Sequence, residues 1–212
     1  MTDMTNSNNM GPDSGSKSGM MRHLPMAVIL VVAVIGAFTL RNYLTFDTLR
    51  DNRETLLAFR DSNYPLTVCV FLGFYILMVG FSLPGASLAT LTGGFLFGTL
   101  FGTLFNVMGA TIGATVIFLA ARYGFGEKLG AKMDNAKGPI KKIKKGIDEN
   151  QWSMLFLIRL VPAVPFFMAN LIPAFMQVPV YRFVISTFFG IMPGTAVFSS
   201  IGAGLGEVFA AG

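Results

Sequence analysis

The sequence predicts an all-α polytopic membrane protein with about four transmembrane helices and two facing re-entrant helical hairpins arranged as an inverted repeat. Three observations predict it. Of 212 residues, 53% are hydrophobic and 13% charged, and the mean hydropathy is positive, which is too apolar for a soluble domain of this size. Several apolar runs reach the roughly 20 residues that a helix needs to cross a bilayer. Finally, Arg159, Pro162, Pro165, Asn170 and Pro173 interrupt one such run between residues 152 and 173. Proline removes a backbone donor and clashes with the preceding turn, so a straight transmembrane helix has no use for that set.

Taken in order, residues 1–21 are rich in Ser, Asn and Gly and are expected to be a disordered tail. The first span is expected at 24–40, behind Arg22 and His23 and ahead of Arg41. A signal peptide is the alternative, but no small-residue cleavage site follows the apolar run. Residues 44–63 place Phe46, Leu49, Leu56 and Leu57 among charges of both signs, the pattern of an amphipathic interfacial helix or of a plain solvated connector. Pro65 opens a second span at 66–83.

Residues 84–102, PGASLATLTGGFLFGTLFG, carry glycines at 85, 93, 94, 98 and 102. Glycine permits bends and close backbone approach. The stretch from Pro84 and Gly85 to Gly98 and Gly102 therefore reads as a first re-entrant hairpin turning near Gly93 and Gly94. The alternative is one glycine-rich span packed in a bundle. A third span follows at 103–121.

The loop at 122–150 holds most of the basic residues outside the membrane, among them Arg122, Lys141, Lys142, Lys144 and Lys145. Gly138 and Pro139 open a helix there, with Ile140, Ile143 and Ile147 on one face. It reads as an amphipathic helix on an anionic membrane surface, or as a solvated charge run that sets topology. A last span is expected at 178–200, kinked at Pro193 and Gly194, with 206–212 a short tail.

The stretch 152–173 carries the chemistry. Backbone freed by Pro162 and Pro165 at membrane depth is tolerated only where protein buries it or a watery cavity meets it, and a charged residue there marks a functional site. Arg159 is accordingly placed facing inward, the alternative being a side chain that snorkels to the headgroups. If both hairpins return to the side they enter from, the single crossing at 103–121 puts them on opposite faces. Transporters built that way hold substrate where broken helices meet near the midplane.

Composition excludes other chemistries. One histidine, His23, and one cysteine, Cys69, leave no material for a His/Cys metal cluster or a nucleophile–histidine pair, so neither enzymatic hydrolysis nor any cofactor is expected. The net charge of +5 bears on the membrane surface and not on nucleic acid.

With these residues laid out, the chain resembles the DedA superfamily, in the branch known as SNARE-associated Golgi or VTT-domain proteins, over roughly 65–205. The first half carries Phe81, Pro84, Gly85, Gly93, Gly94, Phe97, Gly98, Gly102, Gly113, Ala114, Phe118 and Arg122. The second carries Arg159, Pro162, Pro165, Phe166, Asn170, Phe183, Gly190, Pro193, Gly194 and Gly202. The resemblance implies two facing re-entrant hairpins and a role in moving lipids, as a phospholipid scramblase or a flippase for polyprenyl phosphates. It also implies, from the brevity of bacterial members, a bacterial plasma membrane.

Two departures stand out. A glycine expected shortly after Asn170 is replaced by Pro173 and Ala174. The acids expected at the first hairpin are missing, since no Asp or Glu lies between Asp61 and Glu127 or between Glu149 and Glu207. A proton relay needs carboxylates or histidine at depth, so proton coupling is in doubt.

The leading expectation is a lipid transporter that takes membrane lipids with anionic or phosphate headgroups. Arg159 would grip the phosphate, Asn170, Pro162 and Pro165 would supply hydrogen-bonding groups, and Gly93 and Gly94 would let the opposing hairpin approach. The alternatives are a transporter of a small anion or other solute, and a trafficking factor acting through the basic face at 122–150.

Overall fold

The computed structural model describes residues 45–83, 85–133, 137–161 and 164–211, together with part of 28–39. The predicted tail, most of the predicted first span, Pro84 and Pro162 lie outside the described residues. The described positions between 28 and 39 are helical, and Gly36 abuts the Leu83 side chain.

The described residues form helices α1 (Phe46–Asp51), α2 (Arg53–Ser62), α3 (Tyr64–Gly80), α4 (Ala86–Met133), α5 (Gly138–Glu149), α6 (Gln151–Leu160), α7 (Phe166–Phe175) and α8 (Val180–Ala211). The single amphipathic helix expected at 44–63 is two. Asn52 leaves helical geometry, and its side-chain amide donates to the Thr48 carbonyl at 2.8 Å, closing α1. Pro65 sits in the first turn of α3, where its missing N–H costs nothing.

Helix α4 is not one rod. Gly98 has φ 75° and ψ 179°, a backbone region open essentially to glycine alone, and the chain folds back on itself there. The Asn106 Nδ2 donates to the Thr90 carbonyl at 2.8 Å, although sixteen residues of straight helix would separate them by about 24 Å. A Cβ on Gly102 would sit 2.6 Å from the Gly93 carbonyl oxygen. The turn is therefore at Gly98, not at Gly93 and Gly94 as the sequence suggested. The stretch expected to be a separate span at 103–121 is continuous with the hairpin's returning arm, 99–133. Gly93 and Gly94 lie inside the short arm, 86–97, because they are needed for contact: the first faces Asn106, and the second meets the Ser199 backbone.

The second half repeats this plan. Helix α6 ends at Leu160, and a short arm (α7) starting at Phe166 is followed by a tight turn with Gln177 at φ 54° and the long α8. Pro84 and Pro165, Gly109 and Gly190, and Gly113 and Gly194 are each 81 residues apart. Pro173 does not end its helix, because it falls in the last turn of α7; the Val178 N–H donates to its carbonyl at 3.0 Å. Pro193 likewise lies inside α8, which continues to Ala211, past the end expected at 200.

The two halves run in opposite senses. The long arm of α4 leads from its own turn to Arg122, whose Nη1 donates to the Val178 carbonyl at the second turn, 3.0 Å away. Helix α8 leads from that second turn back to the first, where a Cβ added to Gly206 would lie 3.4 Å from the Phe95 ring. Small residues bring α4 and α8 together, and the buried Phe118 and Phe183 rings stack between them at 4.2 Å. The core lies along this seam, with α3 and α7 packed on α4 and with α6 on α8.

Two described helices are long and apolar enough to cross a membrane, within Ala86–Gly124 and Val180–Gly206; Tyr64–Gly80 and Phe166–Phe175 are shorter apolar helices.

Candidate functional site

A cavity of about 390 Å³ lies where the two halves meet. Ala86, Ser87 and Thr90 reach it from the first short arm, Arg159, Leu160 and Phe166 from the second broken stretch, Tyr75 and Val79 from α3, and Gly190 to Phe198 from α8. Ala86 and Phe166 are the first residues of their helices. Both short arms thus start at the cavity, and a helix start offers unpaired N–H groups and a partial positive charge.

Arg159 supplies the full charge. It ends α6, and its stem rests on Gly190, where an added Cβ would lie 2.9 Å from the Arg159 Cβ. Its Nη1 donates to the Asn170 Oδ1 at 2.7 Å. The guanidinium carbon lies 4.9 Å from the centre of the Phe183 ring and 5.6 Å from that of Phe166. Its Nε and Nη2 are buried without a hydrogen-bond partner, as is the Asn170 Nδ2. A buried cation with unmet donors is expensive to keep and able to receive an anion. Phe183 in turn stacks on Phe118, over which Arg122 lies at 6.0 Å, so the cavity arginine and the arginine at the second turn flank one aromatic pair.

The sequence profile of the VTT domain matches residues 83–204, which is more than half of the chain. The chain belongs to the VTT-domain family, the SNARE-associated Golgi branch of DedA. It is similar to the transmembrane protein 41 homolog of Dictyostelium discoideum, with 26% identity over 155 residues. That match covers 72% of this chain and 45% of the relative, so the chain spans less than half of that protein's length. It is also similar to the transmembrane protein 41 homolog of Caenorhabditis elegans, with 23% identity over 218 positions, 91% of this chain and 85% of the relative. No solved structure matches the chain. Family and helices together make it an integral membrane protein of a family linked to membrane transport. The named relatives are eukaryotic, and neither they nor the family match ties the chain to the bacterial plasma membrane that the resemblance implied.

Within the VTT domain, the structure brings together only some of the residues singled out from sequence. Arg159 and Asn170 are bonded partners, and Arg159, Pro193 and Gly194 line the cavity. Pro165 is exposed and caps α7, its carbonyl accepting the Ala169 N–H. Gly93 and Gly94 are buried helix-packing positions away from the lining, so the close approach they allow is to Asn106 and Ser199 and not to substrate. Gly85 turns the chain into the short arm with φ 101°.

Arg122, expected at the membrane surface, reaches the second turn. It is half-buried, because the carbonyls at the second turn need a donor that lipid cannot supply. Arg60 does the same for the first turn, donating to the Leu96 carbonyl at 2.9 Å. Lys141, Lys142 and Lys145 are exposed on α5, with Ile143 and Ile147 buried beneath. Lys144 and Lys145 pair with Asp148 and Glu149 at 2.9 and 3.5 Å.

Sequence reasoning missed Tyr75 and Thr90, which line the cavity with Arg159, and the buried polar groups behind them. The Tyr75 hydroxyl and Thr90 Oγ1 are 2.7 Å apart, and Asn106 ties Thr90 to Ser199 Oγ at 3.0 Å. Asn106 was the available signal, a buried amide in an otherwise apolar run. Tyr75, Ser87 and Thr195 carry no such mark.

Proposed function

We propose that this VTT-domain protein is a lipid transporter, a scramblase or lipid-phosphate flippase. In this reading an anionic headgroup crosses through the cavity between the two broken stretches while its acyl chains stay in the bilayer. The carrying observation is the cavity's composition. Two helix starts and Arg159, with two donors unmet, face one space with no carboxylate among its lining residues. Helix starts and guanidinium both favour phosphate oxygens.

The short arms suit re-entrant hairpins. At 12 residues for 86–97 and 10 for α7, they are about 18 and 15 Å long, roughly half of the ~30 Å hydrocarbon core. Their starts would meet near the midplane, the arrangement that transporters with broken helices use.

The cavity rim favours lipid over a small solute. Leu160, Phe166 and Phe198 line the cavity and yet are 53%, 40% and 43% exposed. A large apolar side chain that is both lining and exposed marks an opening toward hydrocarbon, through which tails can trail. Asn170 holds Arg159 in position. With no Asp or Glu at 62–126 or 150–206 and no nucleotide-binding loop in the sequence, passive scrambling is the mode the residues support.

The test is scrambling in liposomes, following quenching of a fluorescent phospholipid by an impermeant reductant. Complete quenching with the wild type and outer-leaflet quenching alone with Arg159→Ala is the expected result. Outer-leaflet quenching in both discards phospholipid scrambling and leaves polyprenyl phosphates or small anions.

A further inference from the structure

The cavity also carries side-chain hydroxyls that the phosphate reading, which draws on Arg159 and the backbone of the helix starts, does not use. Ser87, at the start of the first short arm, and Thr195, in α8, both line it, and neither hydroxyl is hydrogen-bonded to another described residue. Tyr75 adds a third oxygen. Thr90 Oγ1 already donates to the Ala86 carbonyl at 2.8 Å, so Tyr75 donates to Thr90 and its oxygen retains the capacity to accept. These groups come from three different elements, α3, the first short arm and α8.

The two poles are set apart along α8. The Arg159 stem rests on Gly190, and Thr195 lies five residues on, about 7 Å along a helix. The volume, about 390 Å³, falls at the small end of the ~300–1,000 Å³ of ligand sites. It suits a headgroup and not a pair of acyl chains.

Resting on the lipid-transport reading, we infer that the cavity selects an anionic phosphodiester whose free arm carries hydroxyls, of glycerol or inositol type. The phosphate sits on Arg159 and the arm's hydroxyls bond Ser87, Thr195 and Tyr75. A zwitterionic headgroup is disfavoured because its ammonium meets no carboxylate: none lines the cavity, and none occurs at 62–126 or 150–206. A phosphomonoester without an arm leaves the hydroxyl pole unused.

Binding is measured apart from transport. The full chain, purified in detergent, is titrated with dihexanoyl phosphatidylglycerol, phosphatidylcholine and phosphatidic acid, with thermal stabilisation as the readout. Phosphatidylglycerol should act at the lowest concentration. The Ser87→Ala/Thr195→Val double variant should narrow its advantage over phosphatidic acid by about 5- to 150-fold, two hydrogen bonds' worth. The variant's response to phosphatidic acid should stay at the wild-type level, which reports an intact cavity.

Equal responses to the three lipids, or an advantage that survives the double variant, overturns the inference. Scrambling of the three headgroups in liposomes separates the two readings. Transport without selection in either assay removes the hydroxyl pole and leaves the lipid path. Selective binding with no transport of any lipid removes the path and keeps the site.

Discussion

Replacing Arg159 by methionine separates a working charge from a structural tie. The substitution keeps most of the stem's volume against Gly190 and removes the guanidinium. It loses one charge-assisted hydrogen bond to Asn170, 2.7 Å long and worth about 1.5–3 kcal/mol. It also loses two ring contacts, at 4.9 and 5.6 Å, each worth about 0.5–2 kcal/mol. Against this, it relieves the burial of a cation with two unpartnered nitrogens, a cost of several kcal/mol per ion. The terms cancel to within about 2 kcal/mol, or about 4–8 °C in melting temperature for a chain of this size. Scrambling should nonetheless fall to the rate of protein-free vesicles. The assays are thermal unfolding in detergent and reductant quenching in liposomes on the same preparation. A fall of more than about 10 °C, with activity lost only in proportion to folded protein, would make Arg159 a strut. Wild-type transport by a well-folded Arg159→Met protein would refute the site outright.

Gly98→Ala should cost about 1–3 kcal/mol through backbone strain alone, since nothing lies within 4 Å of the added Cβ. Gly73→Ala, equally unobstructed in α3, should be neutral or stabilising in the same melts. Arg60→Met and Arg122→Met each remove the donor to a turn carbonyl, Leu96 or Val178, and should lower stability by about 1–3 kcal/mol. Cysteine reporters at the two turns should gain accessibility from opposite faces of the vesicle; gain from one face for both would contradict the opposed arrangement. Exchanging Lys141, Lys142, Lys144 and Lys145 for serine should leave scrambling at its wild-type rate. A loss there would move the activity to the basic face.

Much of the architecture was legible because hydropathy and proline act locally. Pro65, Gly138 and Pro139 mark helix starts wherever they occur, and Ile143 and Ile147 declare a buried face by spacing alone. The break around Arg159 followed from residues that a straight apolar helix cannot hold. The amphipathic stretch at 44–63 was harder, because a single Asn52 amide bonding back to Thr48 divides it, and asparagine serves equally well inside a solvated helix.

The sequence by itself determined that this chain is helical and membrane-embedded, that it breaks near Arg159, and that it resembles the VTT-domain family. Each follows from composition or from a residue's own backbone limits. Only the tertiary structure decided which glycine turns and which glycines pack. Gly93, Gly94, Gly98 and Gly102 are the same residue in one run, and what distinguishes them is the neighbour: Asn106, Ser199, open space, or the Gly93 carbonyl. It also decided that Arg122 donates to the Val178 carbonyl, and that Tyr75, Ser87 and Thr195 line one cavity with Arg159. Such groupings join positions up to 120 residues apart, Tyr75 and Thr195 among them, so the cavity exists only once α3, both short arms and α8 are packed around it.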